Sequence, residues 1–434
     1  RTRTKSGFCT FILGALSLCI VASMPTPGVA GAGPARHKAG APVKEKEPRP
    51  AAIVRGKPVA DYLAAGVMLT RQKNNPDRFE TSCSGTLIGC RTFLTAAHCF
   101  ESGYNGRAFN ENVDHYRIFF QHAGFFQIEP NGIHIRKSLY QSPNPGRASF
   151  SGTANADIAI VTLTKQVEGI APAALPPHSD GPGTLSIYEA PDIVGFGKTH
   201  DERSDFGIKR HSTVKLTTCN KPEPNDLICW DYEDAKAENN EGSAGNTCNG
   251  DSGGGLFLGD GEKLFVFGVT SGGGSNCAYK DQAYDTDVAR HVNWIQNIAA
   301  TNSAPLSTNA CGPFQQISKR RSHPQQSPTF DISKKLTNSE SSLEWKIAVD
   351  PGTVGLRISM NGVDNGRNDF QFAVFPGSET DPDFAICRKA ENIQYAFCEI
   401  PNTSNGDWTV RVDANGGQGI VQLTASHLQP VSRN

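Results

Sequence analysis

The sequence predicts an all-β protein that carries one clear helix. Short runs of alternating or β-branched residues are separated by Gly, Asn and Asp, as in "DIAIVTL" (157–163), "PDIVGFG" (191–197) and "KLFVFGVTS" (263–271). Such runs, together with 44 Gly and 27 Pro that favour turns, are typical of an antiparallel barrel or sandwich. The exception is "DVARHVNWIQNIAA" (287–300), whose apolar residues recur at helical spacing and predict an amphipathic helix.

The length of the chain indicates its number of domains, and its net charge bears on its binding partners. A chain of 434 residues exceeds one ordinary domain, so we expect two. The first folded region spans about 53–302, and a second β-rich region spans 338–434 with runs such as "WKIAVD" and "WTVRVD". The formal net charge of −1 gives no global attraction to nucleic acid or to an anionic membrane surface.

The N-terminal segment predicts export. Basic residues in "RTRTK" (1–5) precede the apolar run "FCTFILGALSLCIVA" (8–22), and small residues follow up to Ala32. This pattern is typical of a secretory signal peptide over 1–32, with a retained membrane anchor as the alternative. The polar segment 33–52 is predicted to be a disordered pro-segment. We therefore expect an extracellular or periplasmic protein with no stable membrane insertion after signal cleavage.

The two folded regions are separated by a polar segment. Residues 303–337 are rich in Ser, Pro, Gln and Asn, which predicts a linker. Its basic cluster, Lys319–Arg321, is expected to be a solvated, protease-sensitive stretch, with a binding role as the alternative.

Three motifs supply the groups of a nucleophilic serine site. "TAAHCF" contributes His98, "NADIAIVTL" contributes Asp157 at the head of an apolar strand, and "NGDSGGG" contributes Ser252. A serine nucleophile needs a base to take its proton and an acid to orient that base. Each motif alone has a structural explanation, because a His beside a Cys is usually structural and an Asp before a strand is usually a cap. All three in this order predict an activated serine.

In these motifs the region 53–302 resembles the trypsin-like serine peptidases of the chymotrypsin fold. The resemblance covers somewhat more than half of the chain. It implies two six-stranded antiparallel β-barrels with the active site between them and a C-terminal helix. It also implies a serine endopeptidase that hydrolyses protein or peptide substrates through an acyl-enzyme.

The resemblance assigns a role to each residue of the site. His98 is the general base and then the general acid, Asp157 orients it, and Ser252 attacks the scissile carbonyl. The backbone N–H groups of Gly250 and Ser252 form the oxyanion hole, where one donor typically contributes about 3–4 kcal/mol. Ser271, in "GVTSGGG", matches the family serine that hydrogen-bonds the triad Asp.

Activation of a zymogen is implied by the same comparison. Asp251 matches the buried carboxylate that pairs with a new N-terminal ammonium, and "AAIVRGKPV" places that terminus at Ile53. A buried unpaired carboxylate is costly, so this ion pair can order the pocket. Ala52 stands where many family members have Arg or Lys, so we expect another peptidase to trim the pro-segment.

The substrate pocket of the family corresponds to five positions here. Its floor residue, six positions before the nucleophile, is Asn246 rather than the Asp of trypsins, and Thr247 lies beside it. Gly272 replaces a usual Trp, Gly273 leaves the mouth open, and Ala283 is the expected far wall although the usual Pro-Gly is missing. A neutral floor offers no ion pair to Arg or Lys, so we expect cleavage after uncharged residues.

Ten cysteines remain after signal cleavage, and export makes them disulfide candidates. The resemblance implies the pairs Cys83–Cys99, Cys219–Cys229 and Cys248–Cys277. Cys387–Cys398 is expected within the second domain, which leaves Cys90–Cys311. No metal-binding or cofactor-binding motif is present in the sequence, and we expect neither a metal nor a cofactor.

The C-terminal region resembles the bacterial pre-peptidase C-terminal domain, a small β-sandwich. The matching stretches are "WKIAVDPGTVGLRISMNG", "NDFQFAVFPGS" and "GDWTVRVDANGGQGIVQLTAS". The resemblance implies a bacterial source, and the domain's roles include aiding secretion, binding a matrix or substrate, removal at the linker, or simple stabilisation. Two other functions stay open: an adhesive pseudo-peptidase that binds through the fold and tail, and an esterase or restricted processing peptidase.

Overall fold

The computed structural model describes the chain from Ile53 onward, with gaps. The described residues are 53–102, 108–137, 156–179, 185, 189–200, 202–220, 226–232, 244–259, 263–273, 277, 281–316, 331–337, 341–349, 351–363, 369–403, 406–416 and 419–431. The expected signal peptide, the pro-segment and the Lys319–Arg321 cluster lie outside them. Within these residues, no helix is both long and apolar enough to span a bilayer.

The first half of the described chain is built from short strands. They are β1 Lys57–Pro58, β2 Ala65–Arg71, β3 Phe79–Gly89, β4 Thr92–Thr95, β5 Glu101–Ser102, β6 Ala108–Phe109, β7 Tyr116–Phe120, β8 Gly124–Phe126, β9 Ile128–Ile135, β10 Ala159–Leu163, β11 Glu168–Gly169, β12 Asp192–Gly195, β13 Arg210–Thr213, β14 Leu216–Thr217, β15 Leu227–Tyr232, β16 Gly255–Gly259, β17 Leu264–Gly272 and β18 Asp281–Asp287.

These strands form two curled antiparallel sheets. The first has the order β8-β7-β2-β3-β4-β10-β9, and the second has the order β1-β13-β12-β16-β17-β18-β15-β14. The prediction of two antiparallel barrel-like sheets is confirmed. Short edge strands such as β8, β1 and β14 extend the sheets beyond the expected six strands, and sequence patterns do not resolve strands of two or three residues.

The predicted helix is present but shorter than its apolar pattern. The α-helix α1 spans Val292–Thr301, and a single 3₁₀ turn, Val288–His291, precedes it. The turn forms because the Asp287 side chain accepts a hydrogen bond from the Ala289 N–H and so caps one turn. Val292, Ile295 and Ala299 are buried along one face of α1, as their spacing predicts. The other 3₁₀ turns among the described residues are Ala97–Phe100, Val113–His115 and Pro382–Phe384.

The C-terminal region adds a two-sheet sandwich. Its strands are β19 Cys311–Gln316, β20 Asp331–Leu336, β21 Ser342–Val349, β22 Gly355–Gly362, β23 Asp369–Pro376, β24 Cys387–Ile393, β25 Tyr395–Pro401, β26 Gly406–Gly416 and β27 Gly419–Pro430. One sheet has the order β21-β26-β23-β24, and the other contains β27-β22-β25 with β20 paired to β27. Leu356, Ile358 and Met360 of β22 fill the space between the sheets.

The expected linker over 303–337 is partly wrong, because β19 and β20 both lie inside it. β19 pairs with β27 of the sandwich and, in parallel, with β11 of the first half, so one sheet crosses both halves. Its first residue, Cys311, is bonded to Cys90. These are tertiary contacts, and the polar composition of the segment carries no sign of them.

Candidate active site

His98 lies on a one-turn 3₁₀ helix directly after β4. The turn is anchored by Ala97 and Phe100, both fully buried. His98 makes two hydrogen bonds to the same carboxylate: its backbone N–H donates to Asp157 Oδ1 over 2.9 Å, and Nδ1 lies 2.7 Å from Asp157 Oδ2. Since the carboxylate oxygen accepts, Nδ1 is the protonated nitrogen and Nε2 is left as the base.

Asp157 is buried completely and receives several donors. It precedes β10, and its neighbours Ala156 and Ile158 are also fully buried. Besides His98, the Ser271 hydroxyl donates to Oδ2 over 2.6 Å. The Thr286 hydroxyl donates to the Asp157 backbone carbonyl over 3.1 Å, so both the backbone and the carboxylate are fixed.

The charge of Asp157 controls the protonation of His98. Burial alone would lower the pKa of His98, but the negative charge of Asp157 and its hydrogen bond outweigh burial and raise the pKa above its ordinary value of 6.5. The imidazolium form is therefore stabilised, as a group that accepts a proton during a reaction requires. The His98 side chain is 14% exposed, whereas Asp157 is 0% exposed, so only the outer edge of the pair reaches solvent.

Ser252 is brought beside this pair by backbone packing. The Ser84 N–H of β3 donates to the Ser252 carbonyl over 2.8 Å, and the Gly253 N–H donates to the Thr270 carbonyl over 2.7 Å. A Cβ at Gly253, where φ is +80°, would lie 2.1 Å from Thr95 Oγ1. The serine turn thus abuts the end of β4, which leads into the turn of His98. Among the described residues, the hydrogen-bond chain from Ser271 through Asp157 to His98 does not extend to the Ser252 hydroxyl.

The turn before Ser252 requires glycine at position 250. Gly250 has φ of +96°, and a Cβ there would lie 2.8 Å from Gly197 Cα and 2.8 Å from a ring carbon of Phe206. Within the described chain, the N–H groups of Gly250 and Ser252 donate to no other backbone carbonyl. Both are therefore available to an external acceptor such as a developing oxyanion.

Ser84 supports this turn and was missed in the sequence. Its hydroxyl donates to the Gly250 carbonyl over 2.9 Å and accepts from the Phe196 N–H over 3.0 Å. One residue therefore connects β3, the Phe196 segment and the serine turn. A Ser in "SGTLIG" carries no local signal for this role, because both partners are remote in sequence.

The Asp251 side chain is buried next to Ser252 in the chain and is only 1% exposed. Its carboxylate accepts from the Gly197 N–H over 2.7 Å and from the Cys248 N–H over 2.9 Å. Burial raises the pKa of Asp251 from 3.8 to about 7, although these two donors and the positive charge of Arg210 act in the opposite direction. Among the described residues, the carboxylate therefore lacks a full counter-charge.

Ile53 is already seated in the interior of the second sheet. It is fully buried in a cluster with Ile193, Leu256 and Ala283. Its φ is +44°, a left-handed conformation that is strained for a β-branched residue. Val54 exchanges backbone hydrogen bonds with Asn246, which connects this segment to the serine loop.

The predicted pocket residues occupy different environments. Asn246 is 1% exposed; its side-chain amide donates to the Cys277 carbonyl over 3.0 Å and accepts from the Thr247 N–H over 3.0 Å. Thr247 is half-buried. The Asn246 amide is therefore held by the adjacent Thr247 and by Cys277, which is bonded to Cys248 of the same loop.

Gly272 and Gly273 differ from Ala283 in their burial. Gly272 ends β17 opposite Tyr284, and Gly273 follows it; both are half-buried. Ala283 packs in the buried cluster beside Trp230. In the same strand the sequence reasoning missed Asp285, which is fully buried and lies opposite Thr270 in register. Burial raises the pKa of Asp285 well above 3.8, which favours its neutral form.

The structure contains all five expected cysteine pairs. They are Cys83–Cys99, Cys90–Cys311, Cys219–Cys229, Cys248–Cys277 and Cys387–Cys398. The first joins β3 to the His98 turn, and Cys248–Cys277 joins the Ser252 loop to the segment after Gly273. Cys83 and Cys99 lie close to His98, but their sulfurs bond each other and are not metal ligands.

Comparison with known proteins now decides the family. The family model described as Trypsin matches residues 53–295, more than half of the chain. The chain belongs to the trypsin family. Urokinase-type plasminogen activator from Gallus gallus is 26% identical over 233 residues, which cover 50% of this chain and 50% of that protein. The chain thus spans about half the length of this curated relative, and the trypsin-family match ends before the C-terminal sandwich.

Proposed function

We propose that this trypsin-family chain is a secreted serine endopeptidase. The observation that carries the proposal is the buried Asp157 carboxylate, which receives two hydrogen bonds from His98 and one from Ser271, next to the turn of Ser252. A fully buried carboxylate fixed on an imidazole is the arrangement that prepares a base for a serine hydroxyl. Membership of the trypsin family supports protein or peptide substrates.

The reaction follows from these groups. As Ser252 Oγ attacks the scissile carbonyl carbon, its proton passes to His98 Nε2, and Asp157 stabilises the resulting imidazolium. The carbonyl oxygen becomes an oxyanion that accepts from the N–H groups of Gly250 and Ser252. His98 then donates the proton to the leaving amine, which leaves an acyl-Ser252 ester. Water attacks this ester with His98 again as base, releasing the acid and restoring Ser252.

The protein is made as a zymogen and cut between Ala52 and Ile53. Three features support this part of the proposal: the strained φ of Ile53, the raised pKa of Asp251, and the packing of Val54 against Cys248, whose N–H donates to the Asp251 carboxylate. Cutting removes the constraint on φ and creates an ammonium that can neutralise Asp251. Because Ala52 is not basic, the activating peptidase is a separate enzyme.

The P1 preference is for uncharged residues. Asn246 carries no charge, and its amide is bound to the Cys277 carbonyl, so it offers no ion pair to Arg or Lys. A peptide-library profile of the processed enzyme tests the P1 preference, and a profile dominated by Arg or Lys would contradict it.

The C-terminal region is proposed to be a sandwich of the pre-peptidase C-terminal type.

A fluorophosphonate probe tests the enzyme assignment. Protein beginning at Ile53 is incubated with the probe beside the matched Ser252→Ala variant. Labelling that disappears in the variant supports an activated Ser252. No labelling of correctly trimmed, folded protein would contradict the proposal and favour an adhesive pseudo-peptidase.

A further inference from the structure

The sandwich buries a polar sheet face. Strands β22 and β27 alternate, and their inward residues fill the sandwich core, while their other face is polar. The residues of this polar face are each no more than 4% exposed: Arg357, Ser359, Asn361, Gln422, Thr424 and Ser426. A free-standing sandwich would leave such residues in water. Here the peptidase half covers them, so we call this set the docking face.

Specific hydrogen bonds join the docking face to the peptidase half. Gln121 Nε2 donates to Gln422 Oε1 over 2.9 Å, and Arg357 donates to the Glu168 carbonyl over 2.6 Å. Tyr395 of β25 adds an apolar contact to the Phe119 ring, and its hydroxyl lies 2.6 Å from Thr81 Oγ1. The sandwich is therefore held in one orientation rather than tethered loosely.

Two contacts of the docking face reach the segment that follows Ile53. Gln422 Nε2 donates to the Val59 carbonyl over 2.9 Å. Ser426 Oγ lies 2.7 Å from His122 Nδ1, and His122 Nε2 donates to the Ala60 carbonyl over 2.8 Å. Val59 is only six residues after Ile53.

The same segment begins at Ile53, the proposed new N-terminus. Ile53 is buried, and Val54 pairs with Asn246 in the serine loop and packs in a buried cluster with Cys248, whose N–H donates to the Asp251 carboxylate. Between Val54 and Val59, the short strand β1 pairs with β13 at Lys57 and Pro58, and the Val59 N–H donates to the Lys209 carbonyl over 3.0 Å. Once the chain is cut at Ile53, the covalent restraint on one side is lost. The contacts at Val59 and Ala60 then restrict how far the new terminus can move.

We propose that the C-terminal sandwich positions the N-terminal segment of the mature enzyme and is retained rather than removed. Gln422 acts directly on Val59, and Ser426 acts through His122 on Ala60. This inference rests on the proposed activation at Ile53. Gln422 and Ser426 are positioning residues, since neither contacts substrate or the reacting atoms.

The test measures how often the new terminus leaves its pocket. Full-length protein trimmed to Ile53 is treated with a low concentration of acetic anhydride, and acetylation of the Ile53 α-amine is followed by mass spectrometry. Only the unseated terminus reacts, so the rate is proportional to that minor population. Losing the hydrogen bond to Val59 in Gln422→Ala should raise the rate about fivefold, and Ser426→Ala should raise it severalfold.

Thr424→Val is the matched control. Thr424 lies between the two residues on the same buried strand, and its hydroxyl has no hydrogen-bond partner among the described residues. We expect the wild-type acetylation rate for this variant. Equal rates for Gln422→Ala, Ser426→Ala and Thr424→Val would overturn the proposal. The proposal would also be overturned if the acetylation rate rose equally at Ile53 and at lysines throughout the protein and the thermal midpoint fell. Such a result would show general unfolding instead of release of the N-terminus.

Ser252 labelling separates this inference from the proposed function. If wild-type trimmed protein fails to label while Ile53 is protected and Gln422→Ala raises its acetylation rate, the enzyme assignment fails and the positioning role stands. If wild type labels and Gln422→Ala leaves Ile53 protected, the positioning role fails alone.

Discussion

His122 should make the stability of the folded chain depend on pH. Burial, reinforced by the positive charges of Lys209 and Arg357, lowers the pKa of His122 from 6.5 to about 3, while its hydrogen bond to the Ala60 carbonyl opposes this. The neutral ring is also what the geometry needs, because Nε2 donates to Ala60 and Nδ1 accepts from Ser426.

The direction follows from proton binding. Above pH 6.5 the ring is neutral in both the folded and the unfolded chain, so His122 adds no pH dependence. Below pH 6.5 the unfolded chain takes up a proton and the folded chain does not, so the free energy of unfolding falls as pH falls. The loss is about 2 kcal/mol between pH 8 and pH 5, reaches about 4 kcal/mol at pH 3 and levels off near about 5 kcal/mol below that.

The variant His122→Gln isolates this effect. Glutamine can keep a donor toward Ala60 and an acceptor toward Ser426, but it does not titrate. Urea unfolding at pH 8 and pH 5, with Ser252→Ala present in both proteins to prevent autolysis, should show about 2 kcal/mol less pH dependence in the variant. His291, whose pKa is lowered to about 4, contributes equally to both and cancels. The same pH dependence in both proteins would refute the reasoning.

Three further outcomes concern the candidate site. Because Asp157 raises the pKa of His98 above 6.5, activity should fall as pH drops through that raised value, and kcat/KM measured against pH should show the half-maximal point above 6.5. Ser271→Ala removes a donor to the buried Asp157 carboxylate and should lower kcat/KM about tenfold with the protein still folded, as thermal melting checks. Asn246→Asp loses the donor to the Cys277 carbonyl, so it should destabilise by about 1–3 kcal/mol and give no strong Arg or Lys preference in a peptide-library profile.

Much of the fold and the site could be predicted because local chemistry carries it. The strands around Asp157 have a β-branched pattern, and Gly250 needs a positive φ that only a glycine-rich turn supplies readily. Ser84 and Asp285 were missed because their roles depend on partners far away in sequence.

The docking of the sandwich against the peptidase half could not be predicted from the sequence for the same reason. Strands β22 and β27, which carry the docking face, alternate polar and apolar residues like any half-solvated strand, so nothing in the sequence distinguishes burial against a neighbour from exposure to water. The segment of β19 is polar, yet it forms a strand because β11 and β27 flank it and Cys311 is bonded to Cys90.

Asp251 is a second buried group that makes the stability of the folded chain depend on pH. Its folded pKa is about 7 against an ordinary 3.8, so the stabilisation from its retained proton is fully present below pH 3.8 and is lost as pH rises to 7. The difference corresponds to about 4 kcal/mol. An ammonium at Ile53 would supply the missing counter-charge, so the processed chain should escape most of this loss. On a Ser252→Ala background, the processed protein should gain stability relative to the precursor between pH 5 and pH 7.5, and Asp251→Asn should abolish that gain. Parallel pH profiles for precursor and processed protein would mean that Ile53 and Asp251 do not form the activating pair.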